Sequence, residues 1–216
     1  MPQTLTPPLP VVETDEEHLD GGPADPHRIR WTRADCARLI RSGILDGEQY
    51  ELIEGDIVRK VKNRPHVVSL MLLLDWLRSV FDARCVQSEN PIDVVAEDNR
   101  HNAPEPDAAV LARRAADYTN APPGPSDLRL VVEVADTTLR RDTTTKARLY
   151  ARAGIADYWV VDVAGRRLFV HRAPAEGRYA EVASYAEDET AAPLAAPSAN
   201  VRVGDLLPPS TNAVSA

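Results

Sequence analysis

Aromatic side chains make up only 5% of the 216 residues, and only two cysteines, Cys36 and Cys85, are present. Two cysteines offer no disulfide framework, so a reducing, cytoplasmic setting is the expectation. No uninterrupted apolar run approaches the roughly 18 residues of a membrane span, and no membrane partner is expected. The first residues, Met1 to Pro8, lack the basic start and apolar stretch of a secretory signal. His18, His27, His66, His101 and His171 show no close pairing, and with the cysteines far apart no zinc-ligand spacing results. Neither Ser42, Ser69 nor Ser88 sits in a Gly-X-Ser-X-Gly elbow, which leaves a serine-nucleophile hydrolase without support.

What is present is a chain that is 44% hydrophobic and 27% charged, enough for one main domain with a substantial core. The formal net charge of −8 argues at first against a nucleic-acid partner, since phosphate binding is driven by Lys and Arg. The distribution of that charge removes the objection. Residues 1–27 hold six acids, Glu13, Asp15, Glu16, Glu17, Asp20 and Asp25, with no Lys or Arg. Being rich in proline as well, this segment reads as a disordered acidic tail. Beyond it, Arg59, Lys60, Lys62 and Arg64 form one basic cluster, and Arg140, Arg141, Lys146, Arg148 and Arg152 another. Such clusters serve either as solvated faces or as local basic surfaces for a polyanion.

The domain is expected over 28–207, with a flexible tail at 208–216. Trp31 to Ile40 reads as a short helix capped by Thr32. Tyr50 to Val58 reads as a hairpin turning at Glu54-Gly55. His66 to Asp82 is too long for a strand and apolar on most sides, so it predicts a deeply packed helix. Strands are expected at Asn90 to Ala96, Asp107 to Leu111 and Arg129 to Ala135, the last at the centre of the sheet because its apolar run is nearly continuous. A helix over Thr143 to Ala153 ends at Gly154. A second hairpin joins Tyr158–Val163 to Arg167–His171, Arg178 to Tyr185 adds a strand, and Val201 to Leu207 supplies a late element.

Glu133 is the most informative residue, because a carboxylate among Leu130, Val131, Val132 and Val134 is costly to bury unpaired. A metal, a buried Arg or Lys, a raised pKa or a place beside water at the strand end would each resolve the cost. Asp107, after Pro104 and Pro106, starts the preceding apolar strand, and Lys146 lies on the helix that follows Glu133. Two acids on successive strands plus a nearby lysine match the needs of metal-dependent phosphodiester cleavage. Carboxylates attract a hard cation such as Mg²⁺, and an ammonium orients the attacking water and offsets developing charge. Equally open for Lys146 is an exposed ion pair with Asp142 four residues earlier on the helix.

The ordered set of Tyr50-Glu51-Leu52-Ile53-Glu54-Gly55, His66, Pro106-Asp107, Leu130-Val131-Val132-Glu133-Val134, Lys146-Ala147-Arg148-Leu149-Tyr150 and Gly154 to Asp162 resembles the Uma2 family of restriction endonucleases, in the PD-(D/E)XK nuclease superfamily. The resemblance spans roughly Trp31 to Leu207. It implies an α/β, restriction-endonuclease-like core with a mixed central β-sheet flanked by helices. By the same resemblance Asp107, Glu133 and the backbone carbonyl of Val134 would hold Mg²⁺ or Mn²⁺. Lys146 would replace the lysine whose usual place is taken by Ala135. Glu51 would join the catalytic set, His66 would support it, and Glu54 and Asp136 stand in reserve.

Two departures from the family pattern matter. Ala135-Asp136-Thr137-Thr138 replaces a Ser-Pro turn, and Glu105 places an extra carboxylate before Asp107. The implied activity is endonucleolytic hydrolysis of DNA by a homodimer. The alternative is a noncatalytic nuclease-fold module that binds nucleic acid or a protein partner.

Overall fold

The computed structural model describes residues 28–210. The acidic tail expected at 1–27 lies outside the described residues, as do residues 211–216 of the expected C-terminal tail. No described helix is long and apolar enough to cross a membrane.

Thr32 caps α1 (Arg33–Arg41) as expected, and Asp35 completes a reciprocal capping box with it. β1 (Tyr50–Ile53) and β2 (Asp56–Arg59) pair antiparallel. Glu54 and Gly55 between them adopt φ 51° and 85°, the left-handed pair that a two-residue hairpin turn requires. Asn63 caps α2 (Arg64–Val80) by accepting the His66 N–H, with Pro65 in its first turn. The helix buries His66, Ser69, Leu70, Leu73 and Leu77 along one stripe, while Met71 on the far side is 60% exposed. Its packing is thus one-sided, where the apolar sequence predicts burial almost all round.

The strand expected over Asn90 to Ala96 is replaced by a shorter one placed earlier, β3 (Val86–Ser88). Glu89 turns the chain with φ 53°, and Pro91 has no N–H to give a ladder. Ile92 and Val94 are nevertheless buried, which accounts for the strand-like pattern. A single turn, α3 (Ala96–Asn99), follows.

Five further strands, β4 (Ala108–Leu111), β5 (Leu128–Ala135), β6 (Asp157–Asp162), β7 (Arg167–Ala175) and β8 (Arg178–Ala186), complete a sheet in the order β3-β4-β5-β6-β7-β8. Only the β5–β6 pair is parallel, so this is a mixed sheet. Parallel neighbours cannot be joined by a hairpin, and the chain must cross one face of the sheet between them. It crosses as α4 (Leu139–Arg141), a π-helical turn (Asp142–Lys146) and α5 (Ala147–Arg152), and Gly154 at φ 74° ends the run. The helix expected from Thr143 therefore starts earlier and contains one widened turn. β9 (Thr190–Ala191) and β10 (Val201–Arg202) pair with each other, and a 3-10 turn (Val203–Leu206) follows.

Residues alternate between the two faces of β5. Leu130, Val132 and Val134 pack with Leu70, Leu73 and Leu77 of α2 and with Val203, Leu206 and Leu207. Val131 and Ala135 pack with Leu149 and Tyr150 of α5 and with Ile53 of the hairpin. Alternation puts Glu133 on this second face, under the crossover helix. Each buried Val or Leu there contributes roughly 1.5–3 kcal/mol, and an unpaired carboxylate in the same row would cancel that gain.

Candidate functional site

Asp107 stands just before β4, and its Oδ2 accepts the Val134 N–H at 2.7 Å, capping the end of the β4–β5 ladder. That ladder pairs Ala108 with Val132, so Asp107 and Glu133 are the next positions outward on facing strands. Because the crossover helix lies over this face, a residue 13 positions after Glu133 returns to it: Lys146 Nζ is 3.0 Å from Glu133 Oε1. The β1–β2 hairpin brings in Glu51, whose Oε2 is also 3.0 Å from Lys146 Nζ. Tyr150, one turn beyond Lys146, donates its hydroxyl to Glu133 Oε1 at 2.8 Å.

These groups are out of water, with Glu51 6%, Glu133 3% and Lys146 3% exposed. Glu133 is therefore resolved by a buried lysine, and Lys146 is not an exposed helix lysine. Asp142, at the start of the π-helical turn, is buried as well and accepts a hydrogen bond from Thr138. Burial pushes the Glu133 carboxyl well above the ordinary range; Lys146 opposes this, while Asp107 and Asp142 add to it. Burial also raises Asp142. For Lys146 burial acts downward, but Glu133, Glu51 and Asp142 outweigh it and hold the amine protonated. One ammonium faces more carboxylate than it neutralises.

His66, at the start of α2, places Nδ1 2.9 Å from the Val134 carbonyl. A carbonyl only accepts, so Nδ1 carries the proton. The other nitrogen, Nε2, is 3.3 Å from Asp107 Oδ1, close enough for attraction between charges but not aligned as a hydrogen bond. Burial lowers the His66 pKa, but contact with Asp107 and the Val134 carbonyl outweighs it, and the net direction is upward.

Glu51, His66, Asp107, Glu133, Val134 and Lys146 all line one cleft of about 40 Å³, room for an ion and a few waters. Glu89, Glu105, Asp136 and Asp142 also line it, so seven carboxylates face four cations, Lys60, Lys62, Arg141 and Lys146. This imbalance makes the cleft a candidate cation site. Lys60 pairs with Glu105 and Lys62 with Glu89, so the basic cluster on either side of Val61 reaches the mouth of the cleft. Asp136 is bonded to Asn63 at the cleft wall. Glu54 is elsewhere, paired with Arg152 and Arg30.

Glu89 is not legible from sequence as a site residue, because it falls at the approach to an expected strand. The Glu-Asn-Pro run, which favours a turn, is the available signal. Asp142 is legible only as a neighbour of Lys146, since a π-helical turn has no periodicity of its own to read.

Among solved structures, the chain is similar to "a putative nuclease belonging to DUF820" from Anabaena variabilis ATCC 29413. The two share 17% identity at a TM-score of 0.59, with 81% of this chain and 96% of that one covered. At that identity the likeness establishes a shared fold. No curated protein matches the chain. The family profile of Uma2, described as "Putative restriction endonuclease", matches residues 36–204, and the chain belongs to that family.

Proposed function

We propose that the protein is a divalent-metal-dependent endonuclease that hydrolyses phosphodiester bonds in DNA. The observation that carries this reading is the meeting of Asp107, Glu133, Glu51 and Lys146 in one cleft whose carboxylates outnumber its cations. The donor set fits Mg²⁺ or Mn²⁺. Asp107 Oδ2 is taken by the Val134 N–H, which leaves Oδ1. Among the described residues, both hydrogen bonds that Glu133 accepts arrive at Oε1, which leaves Oε2. The Val134 carbonyl, bonded once by His66, keeps a second lone pair. A bound ion supplies an acidified water and neutralises phosphate charge.

The chain's own groups do the rest. Glu51 and Glu133 hold the Lys146 ammonium at a fixed point, from which it orients the attacking water and offsets charge on the phosphorane. His66 fixes the Val134 carbonyl. Lys60 and Lys62 meet the phosphate strand at the cleft mouth. Cutting both strands of a duplex calls for two such sites, hence a homodimer.

Plasmid nicking in Mn²⁺ tests the reading. The wild type is expected to nick, and Asp107→Ala and Lys146→Gln to fall by about 10²-fold or more, the usual loss when one electrostatic contact to a transition state is removed. Equal nicking by all three would point to a contaminant and refute the assignment. The complete pairing of Lys146 by two carboxylates favours, as a second reading, a noncatalytic DNA-binding module. Duplex binding without nicking in any divalent metal would establish that one.

A further inference from the structure

We infer that His66, Glu89 and Asp107 form a divalent-cation site with mixed nitrogen and oxygen donors, selective for a transition ion such as Mn²⁺ over Mg²⁺. This deepens the nuclease proposal and rests on it only through Asp107, the one ligand common to both sets.

Each of the three residues offers a ligand atom within 4.8 Å of the other two. They come from three separate elements: the first turn of α2, the residue after β3 and the residue before β4. An ion about 2.1 Å from each of its ligands places those ligands roughly 3–4 Å apart, so small side-chain rotations would close the site. Glu89 is fastened to the Asp107 segment through its own N–H, which lies 3.1 Å from the Pro106 carbonyl and 3.3 Å from that of Asp107. The backbone positions from which the two carboxylates reach are thus fixed against each other.

The decisive group is His66. It is 6% exposed, and Nε2 has no hydrogen-bond partner. Donation from Nδ1 to the Val134 carbonyl leaves the lone pair of the neutral ring on Nε2, turned toward an anionic oxygen 3.3 Å away. A lone pair and a carboxylate at that distance repel, and the contact turns attractive once Nε2 carries a proton; a divalent ion would take that proton's place between the two groups. Fixing a metal-binding imidazole through its other ring nitrogen is also the usual way proteins orient such a ligand.

Glu89 repeats the pattern. Its Oε1 has the Lys62 ammonium 2.5 Å away, yet no aligned hydrogen bond. Lys62 is a partly exposed countercharge that a divalent ion would displace. An all-oxygen set suits Mg²⁺, whereas an imidazole shifts preference along the series from Mn²⁺ toward Co²⁺ and Ni²⁺. Glu133 need not leave Lys146 and Tyr150 for this site to fill.

The test is Mn²⁺ binding by the full chain without DNA, followed by calorimetry and by electron spin-echo modulation from ligating ¹⁴N. The wild type is expected to show ¹⁴N coupling that His66→Asn abolishes. Glu89→Gln should weaken Mn²⁺ binding by about tenfold or more, since loss of even an outer-shell partner costs that much. Lys62→Gln alters a side chain that is 37% exposed and should fold normally. It should tighten binding by about two- to fivefold, the worth of one exposed ion pair. Wild-type Mn²⁺ binding without ¹⁴N coupling, no Mn²⁺ binding at all, or unchanged affinity in Glu89→Gln or Lys62→Gln would overturn the site. Nitrogen-coupled Mn²⁺ without plasmid nicking would instead leave the site standing and remove the nuclease reading.

Discussion

Replacing Lys146 by Met keeps the length of the side chain and removes its charge. In the native protein the ammonium lies 3.0 Å from both Glu51 and Glu133, with the three side chains 3–4% exposed, so water screens almost none of the interaction. Deleting one partner of a buried ionic cluster strands the others and costs about 3–5 kcal/mol, a large share of a domain's total stability. The cost should depend on pH in a definite direction. Burial already raises Glu133 above its ordinary 4.5, and loss of Lys146 raises it further. A carboxyl raised in the folded state favours folding below its unfolded value and loses that advantage as pH climbs through the folded one. The deficit of Lys146→Met should therefore be smallest near pH 4.5 and widen toward neutrality. Lys146 itself is raised above 10.5, so its stabilisation of the wild type persists through that window and fades only above it. Urea unfolding at several pH values between 4.5 and 9 measures the difference. Adding Glu133→Gln to Lys146→Met should recover part of the loss, because the two residues act as one unit. A Lys146→Met variant that loses less than about 1 kcal/mol at neutral pH, with no widening, would refute the claim that this amine is the countercharge of the cluster.

Two further outcomes follow, one from a buried histidine and one from the charge of the cleft. His171 is buried, with Nδ1 unpartnered and the Tyr158 and Tyr179 rings 5.2 and 5.5 Å away; burial pulls its pKa down to about 4. Its neutral form stabilises the fold above pH 6.5, and this contribution should be lost as pH falls from 6.5 toward 4; an imidazole NMR titration near 6.5, or an unchanged acid limb in His171→Leu, would contradict it. DNA affinity should depend on the ion even when cleavage is blocked, because seven carboxylates face four cations in the cleft and would repel a phosphate strand. Anisotropy of a labelled duplex with Lys146→Gln should show binding in Mn²⁺ that chelation abolishes, and equal affinity in the presence of chelator would count against the cleft as the path of the strand.

The parts of the site that can be read from sequence are those in which one residue conflicts with its neighbours. Glu133 announces itself because four apolar residues around it make a lone carboxylate too costly to bury, and the structure meets that demand with Lys146 and Tyr150. Asp107 is marked by prolines that end any preceding helix and leave a short apolar strand behind it. What stays hidden is register and local backbone geometry. Whether Lys146 points to water or to β5 depends on β5 and β6 being parallel, since only a parallel pair forces the intervening helix back across the sheet. Nothing within Lys146 to Arg152 carries that information. Glu89 is hidden for the opposite reason: a left-handed turn breaks the alternation through which a strand is recognised, while Ile92 and Val94 still contribute buried apolar positions. The same turn sets Glu89 beside Asp107 through backbone hydrogen bonds. The feature that defeats the strand pattern is thus the one that presents this carboxylate to His66, and a break in such a pattern beside an acid is worth reading as a place where a ligand could be held.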